Sequence, residues 1–129
     1  MNFILIIGGL LGLTGIMFGS YAEHILKTTL SAAKFSLITT ALHYQQLHAI
    51  IISIIGLFFF TSSASIITKP LLWSGWCFIL GTVLFSFSIY LAVLLDARMI
   101  TKLAPIGGTL LMLGWLLLVW LGFTGKFTP

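Results

Sequence analysis

Charged residues are scarce in this chain of 129 residues. Asp and Glu together occur twice and Lys and Arg together occur six times, so that charged residues make up 6% of the sequence. Soluble domains contain about 25% charged residues. A soluble protein of this length needs a polar face on every helix, and eight charges cannot supply one. Because 60% of the residues are apolar, the composition excludes an ordinary soluble fold and predicts an integral membrane protein.

Residue patterns typical of catalysis are also missing. The sequence contains no HExxH, GxSxG or P-loop motif and no pair of carboxylates on one helix. Cys77 is the single cysteine, which excludes an internal disulfide and a Cys/His metal pattern, and we interpret it as a packing residue. We therefore predict a protein that is not an enzyme and has no metal site and no cofactor. The basic residues are scattered, so nucleic acid is not an expected partner.

Four apolar runs are present, at about 2–21, 46–63, 71–95 and 103–123. A transmembrane helix needs about 20 residues, and only the second run is short. No Lys or Arg precedes the first run, which favours a retained helix over a cleaved signal peptide. The predicted fold is all-α: residues 1–129 form one membrane domain, a bundle of four transmembrane helices.

The segment at about 28–44, between the first and second runs, is neither loop-like nor long enough to span the membrane. Its apolar residues recur at helical spacing, while Lys34, Ser36, Thr39 and Thr40 lie mostly off that stripe. This pattern predicts an amphipathic helix in the membrane interface. The alternative is a simple extension of the second transmembrane helix beyond the membrane.

Lys and Arg residues are unevenly distributed between the two sides of the predicted bundle. The first and third connections hold four (Lys27, Lys34, Arg98 and Lys102), whereas the second connection and the C-terminal tail hold Lys69 and Lys126. Because basic residues favour the cytoplasmic side, both chain ends are predicted to lie outside the cytoplasm.

Small residues form a stripe along the first run, at Gly8, Gly12, Gly15 and Gly19. Such a stripe lets another helix approach closely. It predicts either packing inside the bundle or a face for a homo-oligomer. Gly107 and Gly108, with Gly114, offer a candidate partner surface in the fourth run.

Hydrogen-bonding residues gather toward the predicted cytoplasmic side. Buried polar groups inside a membrane need partners and are functional candidates by default. The alternative is a structural role, because side chains of this kind often satisfy helix ends or join neighbouring helices. The candidate ligand-binding residues are His24, Tyr44, Gln45, His48, Ser86 and Tyr90.

Four segments in order resemble a known family, that of domain of unknown function 423, whose members are small inner-membrane proteins. They are residues 19–26, the pair Tyr44–Gln45 with His48–Ala49, residues 85–90, and residues 104–108 with Gly114–Trp115. Ala22, Glu23 and Phe87 depart from the family pattern, and Glu23 adds a charge beside His24. The resemblance implies four helices and residence in a bacterial inner (plasma) membrane, and it implies no specific activity.

Two functions fit these observations. The first is a non-enzymatic scaffold, complex subunit or lipid-interacting protein, with membrane lipids, a homo-oligomer or another membrane protein as partners. The second is binding or transport of a hydrophobic molecule, such as a quinone, a lipid or a haem, in a pocket lined by His24, Tyr44, His48 and Tyr90. In its sharpest form, His24 and His48 would together ligate a haem.

Overall fold

In the computed structural model, residues 1–61 and 68–125 are described, and they contain four long helices. We name them α1 (Phe3–Thr29), α2 (Ala32–Thr61), α3 (Lys69–Leu94) and α4 (Ala104–Thr124). All four are long and apolar enough to cross a membrane. The predicted all-α architecture with four spans is confirmed. Ser62 and Ser63, at the end of the second predicted span, and Lys126 lie outside the described residues.

The first helix is longer than predicted, because it continues through a π-helical turn at Ala22–Leu26 and ends only at Thr29. Lys27 donates to the Glu23 carboxylate over 2.9 Å in this added stretch, a favourable pairing four residues apart. Leu30 is extended, and Ser31 then begins α2 by accepting the backbone N–H of Phe35 at its carbonyl.

Residues 28–44 do not form a helix of their own. Lys27–Thr29 closes α1, and everything from Ala32 onward is the beginning of α2, which runs unbroken for 30 residues. The sequence holds no Gly or Pro between residues 32 and 55 that would interrupt it. The structure therefore adopts the extension of the second helix, the alternative to a separate interfacial helix.

The bundle is built from two antiparallel hairpins, α1 with α2 and α3 with α4. The α2 and α3 helices pack against each other in the middle and are the more buried pair. Phe78, Ile38 and Ile52 are fully buried there. The outer helices α1 and α4 turn broad apolar faces outward, as helices in contact with lipid do.

Short turns close the charged end of the bundle. A 3₁₀ turn at Arg98–Leu103 leads into α4. Asp96, just before it, has a positive φ of 52°, and the Ala97 N–H bonds back to the carbonyl of Ala92, the pattern of a Schellman helix end. The Lys34 ammonium donates to Oδ1 of Asp96 over 3.0 Å, which ties this turn to the start of α2.

Candidate functional site

Gln45 is the hub of a hydrogen-bonded cluster inside the bundle and is 1% exposed. Its amide nitrogen donates to the carbonyl of Leu11 over 2.9 Å and to the hydroxyl of Thr14 over 3.1 Å, both on α1. Its amide oxygen accepts the hydroxyl of Tyr90, on α3, over 2.7 Å. One side chain of α2 thus holds three helices together, with both of its amide protons and its oxygen in use.

His48 lies one turn further along α2 and is 2% exposed. The indole N–H of Trp115, on α4, meets its Nε2 over 3.3 Å, and its Nδ1 lies 2.7 Å from the Tyr44 carbonyl. Because an indole only donates, Nε2 must accept, and the ring proton then belongs on Nδ1, where it donates to the carbonyl. This neutral tautomer satisfies both ring nitrogens within the protein.

Two buried serines fasten neighbouring helices through backbone carbonyls. Ser86 donates to Ala41 over 2.7 Å, joining α3 to α2, and Ser74 donates to Gly114 over 3.0 Å, joining α3 to α4. Thr82, between them on α3, is the one buried side chain among the described residues whose polar atom has no hydrogen-bond partner. Where lipid offers little hydrophobic drive between helices, such bonds and close packing are what hold a bundle together.

The cluster lies deeper than predicted. Since α2 begins at Ala32, Gln45 and His48 are about 20 and 24 Å from its start. The sequence placed these residues at the membrane interface because it began the second span near residue 46. The 14 additional residues of α2 move them toward the middle of the bundle.

Of the six candidates, the structure brings together Gln45, His48, Ser86, Tyr90 and, at the edge, Tyr44. Tyr44 is 43% exposed; its ring lies nearly parallel to that of His48 with ring centres 6.1 Å apart, and tilted by 41° against Phe85 at 4.6 Å. His24 is exposed on α1. Gly19 of α1 lies beside Leu42 of α2, which sets His24 and His48 about 16 Å apart along the bundle. The two histidines therefore do not face each other across a haem-sized gap.

Two surface grooves in the described part of the chain have walls that do not include His24, Tyr44, His48 or Tyr90. One of about 460 Å³ lies near the N-terminus, between Phe3, Phe60 and Trp76. The other, of about 370 Å³, runs along the α1/α2 seam. We call it the α1/α2 groove, and it is lined by Gly8, Gly9, Gly12, Ile16, Gln46, Ala49, Ile50 and Ser53. Binding of a hydrophobic molecule by the predicted residues stays a prediction.

The glycine stripe of α1 packs mainly inside the bundle, against α2. A Cβ on Gly8 would lie 2.6 Å from the Ser53 hydroxyl, and one on Gly15 would lie 3.3 Å from the Gln46 side chain. Gly12 and Gly19 leave ordinary contact distances to Ala49 and Leu42. Internal packing, one of the two predicted roles, is therefore what most of this stripe does.

The glycines of α4 do not meet those of α1, which corrects the partnership that the sequence suggested. Gly107 packs on the backbone of α3 at Phe85, and Gly108 faces the ring of the same residue. Gly114 lies against the Phe78 ring. The short turn at Arg98–Leu103 makes α3 the neighbour of α4, so the small residues of α4 serve that hairpin.

Two contributors to the cluster could not be identified from the sequence. Thr14 looks like any small residue in an apolar run, and no pattern marks it. Trp115 lies in the middle of the fourth apolar run, and nothing in the sequence indicates that His48 is its partner. Away from the cluster, the side chain of Asn2, the first residue of the first predicted span, caps α1 at Leu5 and donates to the Gly56 carbonyl over 2.7 Å.

Comparison with known proteins places this architecture among relatives of unknown activity. A profile described as "Protein of unknown function (DUF423)" matches residues 18–108. A UPF0382 membrane protein of Staphylococcus haemolyticus is 34% identical over 119 residues, 92% of this chain and 93% of its own. The UPF0382 inner membrane protein YgdD of Escherichia coli K12 is 32% identical over 121 residues, 92% of this chain and 87% of its own. No solved structure matches.

Proposed function

The chain belongs to the DUF423 family of membrane proteins, and on that premise we propose that it is a non-enzymatic subunit that associates laterally with another membrane-embedded helix. The contact surface is the α1/α2 groove. The observation that carries this proposal is the side-chain amide of Gln46, which has no hydrogen-bond partner among the described residues although it lines an apolar groove halfway along the bundle.

The internal cluster supports a non-catalytic role. The polar atoms of Gln45, His48, Ser86 and Tyr90 bond to other helices or to backbone carbonyls. A catalytic group has to present a reactive atom to a substrate. Here the polar atoms of these four side chains bond within the bundle instead. This supports a structural role for them, one of the two roles that the sequence leaves open.

Gln46 differs from its neighbour Gln45 both in burial and in hydrogen bonding. Its side chain is half-buried and lies across Gly15, with the amide nitrogen 3.7 Å from where a Cβ of Gly19 would be. It is about 18 Å along α2 from Lys34 and about 22 Å from Thr61, hence at mid-depth. An amide left unpaired in hydrocarbon costs several kcal/mol, so this one favours a partner from outside the chain.

The shape of the groove suits a helix. Nothing among the described residues lies within 4 Å of a Cβ placed on Gly9, and Gly12 has only the Ala49 methyl at 3.9 Å. Small residues on one side and the exposed Ile16 and Ile50 at the rims form a shallow channel along the membrane normal. Such surfaces allow close approach of helix backbones, where dispersion and interhelical hydrogen bonds provide the attraction.

A site-specific photocrosslinker tests the proposal in native membranes. Placed at Ile50, it is expected to yield a protein adduct that disappears when Gln46→Leu is added. Leu116, on the outer face of α4, is the matched control position, because it is 62% exposed and Ile50 is 61% exposed. Equal labelling at both positions, by lipid or by random neighbours, contradicts lateral association through the groove.

We also propose that both chain ends lie outside the cytoplasm, in a bacterial inner membrane. Lys27, Lys34, Arg98 and Lys102 lie at one end of the bundle, and the described basic residue at the other end is Lys69. The positive-inside rule supports this orientation. A C-terminal fusion to alkaline phosphatase, which is active only outside the cytoplasm, is expected to be active. Fluorescence of a C-terminal green fluorescent protein fusion would reverse the assignment.

A further inference from the structure

We infer that the helix that fills the α1/α2 groove comes from a second copy of this chain, in a two-fold dimer in which the two Gln46 amides bond to each other. This inference rests on the proposed function, because it names the partner of the same groove. It rests on the depths at which the groove residues lie, together with the hydrogen-bonding capacity of an amide.

The antiparallel packing of α1 on α2 fixes the depth of each groove residue. Gly8 lies beside Ser53, and Gly12 lies beside Ala49. Ile50 is therefore at the depth of the open glycines Gly9 and Gly12. By the same register Gln46 is level with Gly15, whose missing side chain leaves room for it.

Membrane insertion then restricts how two copies can meet. In the orientation proposed above, with the end that holds Lys27, Lys34, Arg98 and Lys102 in the cytoplasm, all copies cross the bilayer in the same direction. A two-fold axis that relates them then runs along the membrane normal. Rotation about that axis leaves depth unchanged, and each residue of one copy faces the partner at its own level. A closed two-fold contact of this kind uses the same patch on both molecules.

At the level of Gln46 this geometry places two primary amides opposite each other. A primary amide has two N–H donors and one carbonyl acceptor, so a pair of them forms reciprocal hydrogen bonds. A second copy is the one partner guaranteed to present such a group at this depth. An unrelated membrane protein would need a polar residue at the same level, without any symmetry to provide it.

The apolar parts of the groove are complementary in the same arrangement. Ile50 is 61% exposed and projects beside the groove, where it has the depth of Gly9 and Gly12. In the dimer, Ile50 of each copy covers the open glycines of the other. Side chains of one molecule thus occupy space that the other leaves empty, which is the close packing that membrane helices require.

Disulfide trapping in native membranes tests for the self-contact. In a Cys77→Ala background, Gln46→Cys is expected to form a covalent dimer on mild oxidation, because the two positions face each other across the axis. Leu116→Cys, on the outer face of α4, is the control and is expected to stay monomeric. A Gln46→Cys chain that dimerises no faster than Leu116→Cys overturns the inference.

Affinity in liposomes provides the second measurement, by energy transfer between labelled copies of the purified chain. Gln46→Leu removes both bonds of the reciprocal pair, so the dissociation constant is expected to rise by at least about 3- to 20-fold, the loss expected for a single interhelical hydrogen bond in a membrane. Because the Gln46 side chain makes no hydrogen bond within the described residues, the variant should fold normally, and an unchanged melting temperature verifies this. A monomeric wild-type chain, or a dimer indifferent to Gln46→Leu, contradicts the inference.

The two proposals fail in distinguishable ways. A Gln46-dependent photoadduct with a different protein, together with a monomer in liposomes, leaves lateral association standing and removes the second copy as its partner. Absence of both the photoadduct and the disulfide dimer removes both proposals.

Discussion

Trp115 donates its indole N–H to Nε2 of His48 over 3.3 Å, and this contact ties the fourth helix to the second. It also determines the state of the histidine, because the other ring nitrogen then carries the proton and donates to the Tyr44 carbonyl. A histidine that looks like a ligand in the sequence is thus a neutral connector in the fold. A metal or haem would have to displace one of these bonds to reach it.

The coupling between His48 and Trp115 is measurable by a double-mutant cycle. His48→Leu and Trp115→Phe each remove one partner, and the double variant removes both. We expect a coupling energy of about 0.6–1.7 kcal/mol, the range found for interhelical bonds in membranes. Unfolding in mixed micelles provides the free energies, and Trp120→Phe, on the exposed face of α4, is the control. Additive single effects would show that the contact does not stabilise the bundle.

Gln45 and Gln46 are a matched pair for testing the internal cluster. Gln45→Leu removes three hydrogen bonds and leaves the buried Tyr90 hydroxyl unpaired. We expect a loss of about 2–4 kcal/mol of unfolding free energy. Gln46→Leu in the monomer should change it by less than about 0.5 kcal/mol, because no internal bond is lost. Equal losses in the two variants would contradict the hub role of Gln45.

Gly56 is predicted to be intolerant of any side chain. A Cβ there would lie 2.7 Å from the backbone N and Cα of Leu5, atoms that cannot swing aside. Gly56→Ala is expected to destabilise the protein by about 1–3 kcal/mol, the usual effect of overpacking. Gly122→Ala, where nothing among the described residues lies within 4 Å, should be neutral or slightly stabilising. Thermal unfolding of both variants measures these changes in stability. A Gly56→Ala protein as stable as the unsubstituted chain would mean that α1 and α2 move apart easily.

The pKa of Asp96 is expected to depend on Lys34. The hydrogen bond and the charge of the Lys34 ammonium hold the pKa of this carboxyl below its ordinary value, with a smaller contribution from Arg98. Stability contributed by a lowered pKa is present above the ordinary value and disappears as the pH falls through the lowered one. Lys34→Gln should raise the pKa, whereas Lys102→Gln should not. Asp96 is the only Asp in the sequence, so carboxyl NMR follows it directly, and an unchanged pKa in Lys34→Gln would show that the ion pair does not form in solution.

Membrane residence and the number of helices could be read from the sequence because both follow from local sums of hydropathy. The hydropathy of each span depends only on its own residues, and the helices that pack beside it do not change that value. Helix ends were less predictable. The polar stretch before residue 46 hides the true start of α2 at Ala32, because hydropathy falls wherever polar side chains occur, whereas the helical backbone continues through them.

The candidate site was predicted in part. The sequence marks Gln45, His48, Ser86 and Tyr90 as polar groups inside a membrane. In the structure Tyr90 bonds to Gln45, and Ser86 and His48 bond to backbone carbonyls of the same helix, α2. The sequence also groups His24 with them, because His24 and His48 fall at the same predicted face of the membrane. Their separation along the bundle depends on the register between α1 and α2, and glycine contacts set that register only in the folded protein.

Composition and hydropathy by themselves determined that this chain crosses a membrane four times, because these properties belong to each segment separately. Only the tertiary structure decided which polar groups are paired. Gln45 and Gln46 are identical in chemistry and adjacent in sequence, yet one has three bonds inside the bundle and the other lines an outward groove. Successive side chains of a helix point about 100° apart, so the rotation of α2 against its neighbours assigns each glutamine its surroundings.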